Sequence, residues 1–167
     1  MRAGPLLPLV LAVLWAAPAR AESCDALAAR VIRVTGASLA GRAEPGAVFR
    51  AADADRMVLD CRAPARIVLG SAERRPPVGW FTLVGLAARA LGRVPLREAQ
   101  VLALNLNQDS LLADAPFEGR VRGIVLRCET GPRSDSLAGL ASICTVTVAR
   151  RPTLRRKAAL PPASPAG

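Results

Sequence analysis

Apolar residues recur with two different periods along this chain, and each period predicts a type of secondary structure. Residues 25–34 have apolar side chains at helical spacing, with Ser23 or Asp25 as the N-cap and Gly36 at the end. Residues 80–91 form one continuous apolar stripe, which predicts a second helix. Pro95 suits the first turn of a third helix, which we expect to reach about residue 104, although the leucines there also alternate like a strand.

Short alternating or continuous apolar runs predict the strands. Three such runs lie at residues 47–50, 56–62 and 66–69, and the two clearest lie at 121–128 and 142–149. The order is helix, three strands, one or two helices, and two strands. It predicts an α+β fold: a small single domain in which an antiparallel sheet of about five strands is packed by two or three helices.

The first 21 residues have the three parts of a secretory signal peptide. Arg2 provides a positive charge, residues 6–17 are apolar, and Ala19-Arg20-Ala21 is a small-x-small cleavage site. The apolar run is too short for a membrane-spanning helix, which needs about 20 residues. We therefore expect cleavage after Ala21, an exported domain at residues 22–149, and a location in the periplasm or outside the cell.

Four cysteines lie in this predicted domain, and an even number in an exported chain is typical of a disulfide framework with three possible pairings. If Cys128 lies opposite Cys144 in an antiparallel hairpin, one whole face of both strands is apolar, whereas a shift of one residue destroys the match. The pattern therefore predicts two disulfides, Cys128–Cys144 and Cys24–Cys61. The absence of Cys-x-x-Cys and of short paired spacings argues against redox catalysis and structural zinc.

Charge is unevenly distributed along the chain. Residues 22–149 contain 16 basic and all 13 acidic residues, so this part is nearly neutral, and we expect no nucleic-acid binding from it. Residues 150–167 combine several prolines with five basic residues and have little to bury, so we expect a disordered tail. Its basic residues are candidates for contact with an anionic envelope surface or an acidic protein: Arg150, Arg151, Arg155, Arg156 and Lys157.

The residue types that are missing exclude several kinds of catalysis. The chain has no histidine and no tyrosine, and Lys157 is its only lysine, which removes Ser-His-Asp, Cys-His and Schiff-base chemistry from the body. We expect no metal and no cofactor. Acid–base catalysis by two carboxylates remains open, and its candidates are Asp53, Asp55, Asp60, Asp109, Asp114 and Glu118.

No motif of the chain indicates a known family. The export signal, the predicted disulfides and the missing catalytic residue types favour a non-catalytic protein of the cell envelope, most simply a periplasmic one. Its role would be binding or structural, with a partner that the sequence does not identify. The alternative is a small exported hydrolase in which a pair of carboxylates acts as acid and base.

Overall fold

A computed structural model describes residues 23–131 and 139–149. Three helices and seven strands are formed in this part of the chain, in the order helix, four strands, two helices, three strands. The predicted α+β class is confirmed, and so is the antiparallel sheet, but the expectation of about five strands was too low. The predicted signal peptide and the predicted tail both lie outside the described residues.

The three helices are α1 (Cys24–Thr35), α2 (Val78–Leu91) and α3 (Leu96–Ala113). α1 begins where the Ser23 hydroxyl accepts the N–H of Ala26 at 3.2 Å, and it ends at Gly36, whose φ of 73° is available to glycine without strain. α3 continues well past the predicted end near residue 104 and closes at Asp114, which has a left-handed backbone conformation.

The seven strands form one sheet in which all neighbouring strands are antiparallel and the order is β1-β2-β3-β4-β7-β6-β5. The two helices connect β4 to β5, and in the sheet β4 pairs with β7 and not with β5. The strands are β1 (Ser38–Ala43), β2 (Gly46–Ala51), β3 (Ala54–Asp60), β4 (Arg66–Ser71), β5 (Phe117–Val121), β6 (Ile124–Thr130) and β7 (Ser142–Val148).

Two strands were missed by the sequence pattern, and they are the two edges of the sheet. β1 is exposed along almost its whole length, so it has no alternation of apolar and polar residues. β5 does alternate, with half-buried Phe117, Gly119 and Val121 between exposed Glu118 and Arg120, but glycine at its centre and its length of five residues weaken the apolar signal. Both strands form because a neighbouring strand supplies hydrogen-bond partners, which a local pattern does not record.

The hydrophobic core lies between the three helices and one face of the sheet. Alternate residues of each central strand point into it, for example Met57 and Leu59 of β3 and Ile67 and Leu69 of β4. Trp80 of α2 is completely buried in the same cluster. The opposite face of the sheet is turned away from the helices.

Both predicted disulfides are present, Cys24–Cys61 and Cys128–Cys144. Cys128 is the register partner of Cys144, and the neighbouring apolar pairs follow the predicted register. Two disulfides are typical of an oxidising compartment outside the cytosol. Within the described residues, no helix combines the length and the apolar character needed to cross a membrane.

Candidate functional site

The face of the sheet that is turned away from the helices combines a half-buried centre with exposed arginines. Its central row crosses four neighbouring strands through Val48, Val58, Val68 and Thr145, which are register partners in turn. All four side chains are half-buried. Strand arginines that alternate with core positions lie around this row: Arg50, Arg56, Arg66, Arg120 and Arg127.

Two arginines are held in place at one end of this face by a single carboxylate. Asp60 ends β3 and is the register partner of Arg66 at the start of β4. One oxygen of Asp60 accepts the backbone N–H and the Nε–H of Arg62, both at 3.0 Å. The other accepts Nη2 of Arg62 at 3.1 Å and Nε and Nη2 of Arg66 at 3.2 and 3.0 Å. We call these three residues the arginine cluster.

The arginine cluster stays charged over a wide pH range. The hydrogen bond from the Arg62 side chain is the main cause that lowers the pKa of Asp60 from 3.8 to about 2, and burial partly opposes it. The same hydrogen bond raises the pKa of Arg62. The side chain of Asp60 is only 14% exposed, whereas those of Arg62 and Arg66 are 71% and 51% exposed. The cluster therefore presents two fixed guanidinium groups to solvent with one net positive charge.

A shallow cavity of about 410 Å³ connects the arginine cluster to the centre of the open face. Val58 and Val68 line it between the cluster and a third arginine, Arg56, and Glu44 lines its rim. Arg56 and Asp60 are four residues apart on the same side of β3, which corresponds to about 13 Å. The cavity thus offers guanidinium groups at both ends of an aliphatic floor, an arrangement suited to an extended anion.

The chain leaves the sheet beside the arginine cluster. Thr147 of β7 is the register partner of Arg66, and the N–H of Val148 donates to the carbonyl of Ala65 at 3.2 Å. Residue 150, the first of the basic tail, is therefore only three positions beyond a residue paired with Arg66.

The tail residues that the sequence singled out lie outside the described residues: Arg150, Arg151, Arg155, Arg156 and Lys157. What the described part adds is the position from which they start. The arginine cluster itself was missed, since Asp60 appeared in the sequence only as a possible catalytic carboxylate. A signal was present in the charged residues on both sides of Cys61, but only strand pairing brings them together.

The candidate carboxylates are distributed over separate parts of the fold, and four of them contact named partners. Asp55 accepts the N–H of Ala72 at 2.7 Å, and Asp114 lies 3.9 Å from Arg74. Asp60 shares its cavity with Glu44, but its arginines keep it ionised, which is the opposite of what a general acid needs. The other three candidates are Asp53 against the first turn of α2, Asp109 on the exposed side of α3, and Glu118 on β5 beside Arg120.

The cysteines and carboxylates of the described residues do not form a metal site. All four cysteines are joined in disulfides, and no group of three or more potential ligands comes together in residues 23–131 and 139–149. The arginine cluster, by contrast, offers two guanidinium groups that can contact an anion. Comparisons with models of known protein families, with curated proteins and with solved structures found no match for this chain.

Proposed function

We propose that this chain is an exported, non-catalytic protein of the cell envelope that binds an anionic surface through one basic end. The basic end consists of Arg62, Arg66 and residues 150–167. The predicted signal peptide at residues 1–21 and the two disulfides support export, to the periplasm in the simplest case. The surface would be a layer of lipid phosphates or an acidic wall polymer.

The observation that carries the proposal is the exit of the chain beside the arginine cluster. Because Thr147 pairs with Arg66, a tail with five basic residues starts next to two guanidinium groups that Asp60 already holds in place. Fixed arginines lose little side-chain freedom when they bind an oxyanion, and a bidentate fork matches a phosphate or carboxylate. The five basic residues of the tail would add further positive charge to this end.

The two parts of the basic end contribute unequally. A lysine or arginine near an anionic membrane is worth about 1 kcal/mol, so the five tail residues would contribute about 5 kcal/mol. The arginine cluster, with one net positive charge, would contribute about 1 kcal/mol, and removal of both its arginines would change the charge by two. At low ionic strength, removal of residues 150–167 should reduce the binding constant by about five thousandfold. Replacement of Arg62 and Arg66 by glutamine should reduce it by about thirtyfold.

The test is co-sedimentation of the exported chain, residues 22–167, with vesicles of phosphatidylglycerol and phosphatidylcholine at low salt. Vesicles of phosphatidylcholine alone and purified wall sacculi provide the comparison surfaces. Binding to anionic vesicles would identify lipid phosphate as the surface, and binding to sacculi alone would identify an acidic polymer. No binding to either surface would disprove the proposal.

A matched double variant separates the arginine cluster from a general effect of charge. Arg33→Gln with Arg74→Gln removes the same charge from exposed positions, one in the last turn of α1 and one just after β4. We expect this variant to bind about as well as the unchanged chain, because salt screens exposed charges that lie far from the contact. Equal losses in the two double variants would show that only net charge matters and that the cluster has no special role.

A further inference from the structure

A second surface, on the helical side of the domain, is apolar. Two adjoining cavities of about 460 and 390 Å³ lie between α2 and α3 and share Phe81 and Leu104. We call them together the α2–α3 groove. Leu111 and Leu112 line one end of the groove, and Val78 and Val101 line the other.

The side chains of this groove are unusually exposed for their size. Leu112 is 87% exposed, Val78 is 70% exposed and Val101 is 48% exposed, and only Leu39 joins them as an exposed large apolar residue in the described part. Val101 and Leu104 are three positions apart on α3, and Leu112 lies two turns further on, with the exposed Gln108 between them. Large apolar side chains that are exposed close together along one groove are typical of an interaction surface.

Charge indicates which kind of partner fits. Arg75 lines one end of the groove and Arg97 the other, and neither of its two cavities has a carboxylate among its described lining residues. Each end therefore presents one exposed arginine to an occupant, which suits an acidic partner. A second copy of the chain related by two-fold symmetry would bring its own arginines to the interface, where they would repel Arg75 and Arg97. The basic tail of the chain would be repelled by the same two arginines.

The open shape of the α2–α3 groove favours a protein segment over a small ligand as its occupant. Small-molecule sites enclose about 70–90% of the surface of their ligand, whereas this groove is bordered by half-exposed and exposed side chains. The groove runs along α3, whose 18 residues span about 27 Å. An amphipathic helix of similar length fits such a groove. Gln100 and Gln108 lie along it and can satisfy polar groups at the rim.

We propose that the α2–α3 groove binds an acidic amphipathic helix of another exported protein. The apolar side of that helix would cover Val101, Leu104 and Leu112, and its carboxylates would meet Arg75 and Arg97. This site lies on the helical layer, apart from the basic end, so a chain that uses both would connect a protein partner to an anionic surface.

The test uses two fluorescein-labelled synthetic helices with the same leucine stripe, one with glutamate and one with lysine at the polar positions. Their binding to the exported chain, residues 22–167, is measured by fluorescence anisotropy. We expect only the glutamate helix to bind. Val101→Ser with Leu112→Ser should weaken it at least tenfold, as truncation of central interface residues usually does, and Arg75→Gln with Arg97→Gln should weaken it chiefly at low salt.

The control variant is Leu39→Ser, which removes an exposed apolar side chain from β1 and should leave binding unchanged. Since the tail also attracts acidic peptides, the groove variants decide the outcome. Binding that is lost with residues 150–167 but survives Val101→Ser with Leu112→Ser would overturn the proposal. Light scattering that finds a dimer of the chain, abolished by the same groove variant, would overturn it in favour of a second copy.

Discussion

Substitution of Asp60 by asparagine tests how the basic end is built. Asp60 accepts five hydrogen bonds from Arg62 and Arg66, and the fall of its pKa from 3.8 to about 2 measures how strongly the folded state favours its ionised form. A shift of this size corresponds to about 2 kcal/mol, which we reduce to about 1 to 2 kcal/mol because both arginines are largely exposed to water. Asparagine keeps the shape of the side chain but removes the charge. The free energy of unfolding at neutral pH should therefore fall by about 1 to 2 kcal/mol.

The pH dependence has a definite sign. A carboxylate whose pKa is lowered by folding contributes its full stability above the pKa of the unfolded chain and loses it as the pH falls through the lower folded value. The difference between the unchanged chain and Asp60→Asn should be constant above about pH 5, shrink between about pH 4 and 2, and vanish below that.

Denaturant unfolding followed by the fluorescence of Trp80, the only tryptophan after residue 21, measures this difference. Asp109→Asn provides the control, since this carboxylate lies on the exposed side of α3, and its effect should stay within about 0.5 kcal/mol. Equal stability of the chain and Asp60→Asn at neutral pH would refute the reasoning. A difference that persists in acid would show that asparagine acts through packing and not through charge.

Two further predictions concern the frame that holds the basic end. A β-carbon at Gly46 would lie 1.9 Å from the carbonyl oxygen of Leu59, whereas one at Gly41 has nothing within 4 Å, so Gly46→Ala should cost about 1 to 3 kcal/mol more than Gly41→Ala in denaturant unfolding. Equal costs would contradict the close approach of β2 and β3. A mild reductant should open the half-buried Cys24–Cys61 disulfide before Cys128–Cys144, whose sulfur-bearing residues are both 0% exposed. Alkylation and mass mapping over time would show the order, and simultaneous opening would mean that reduction requires global unfolding.

Much of the local structure could be predicted because it depends on neighbouring residues. The cap at Ser23, the stop at Gly36 and the apolar stripe of α2 each act within a few positions. The pairing of Cys128 with Cys144 could also be predicted, because only one register makes a whole face of the hairpin apolar.

The end of α3 shows where local reasoning failed. Three leucines near the predicted end of α3 alternate in the sequence, but each has different surroundings. Leu102 packs towards Gly119 of β5, Leu106 is buried, and Leu104 lines the α2–α3 groove. Alternation here reflects three separate contacts on one helix and not the two faces of a strand. The sequence does not show those contacts, because residues far apart along the chain make them.

The sequence by itself determined the fold class, the disulfide pairing and the concentration of charge after residue 149, whereas the signal peptide at residues 1–21 stays a prediction. Only the tertiary structure decided which part of the fold precedes that charged segment. β4 pairs with β7 across an insertion of two helices and two strands, so Arg66 and Thr147 become neighbours although more than 80 residues separate them. Hydrogen-bonded strand pairing sets such proximity, and no periodicity of the chain encodes it.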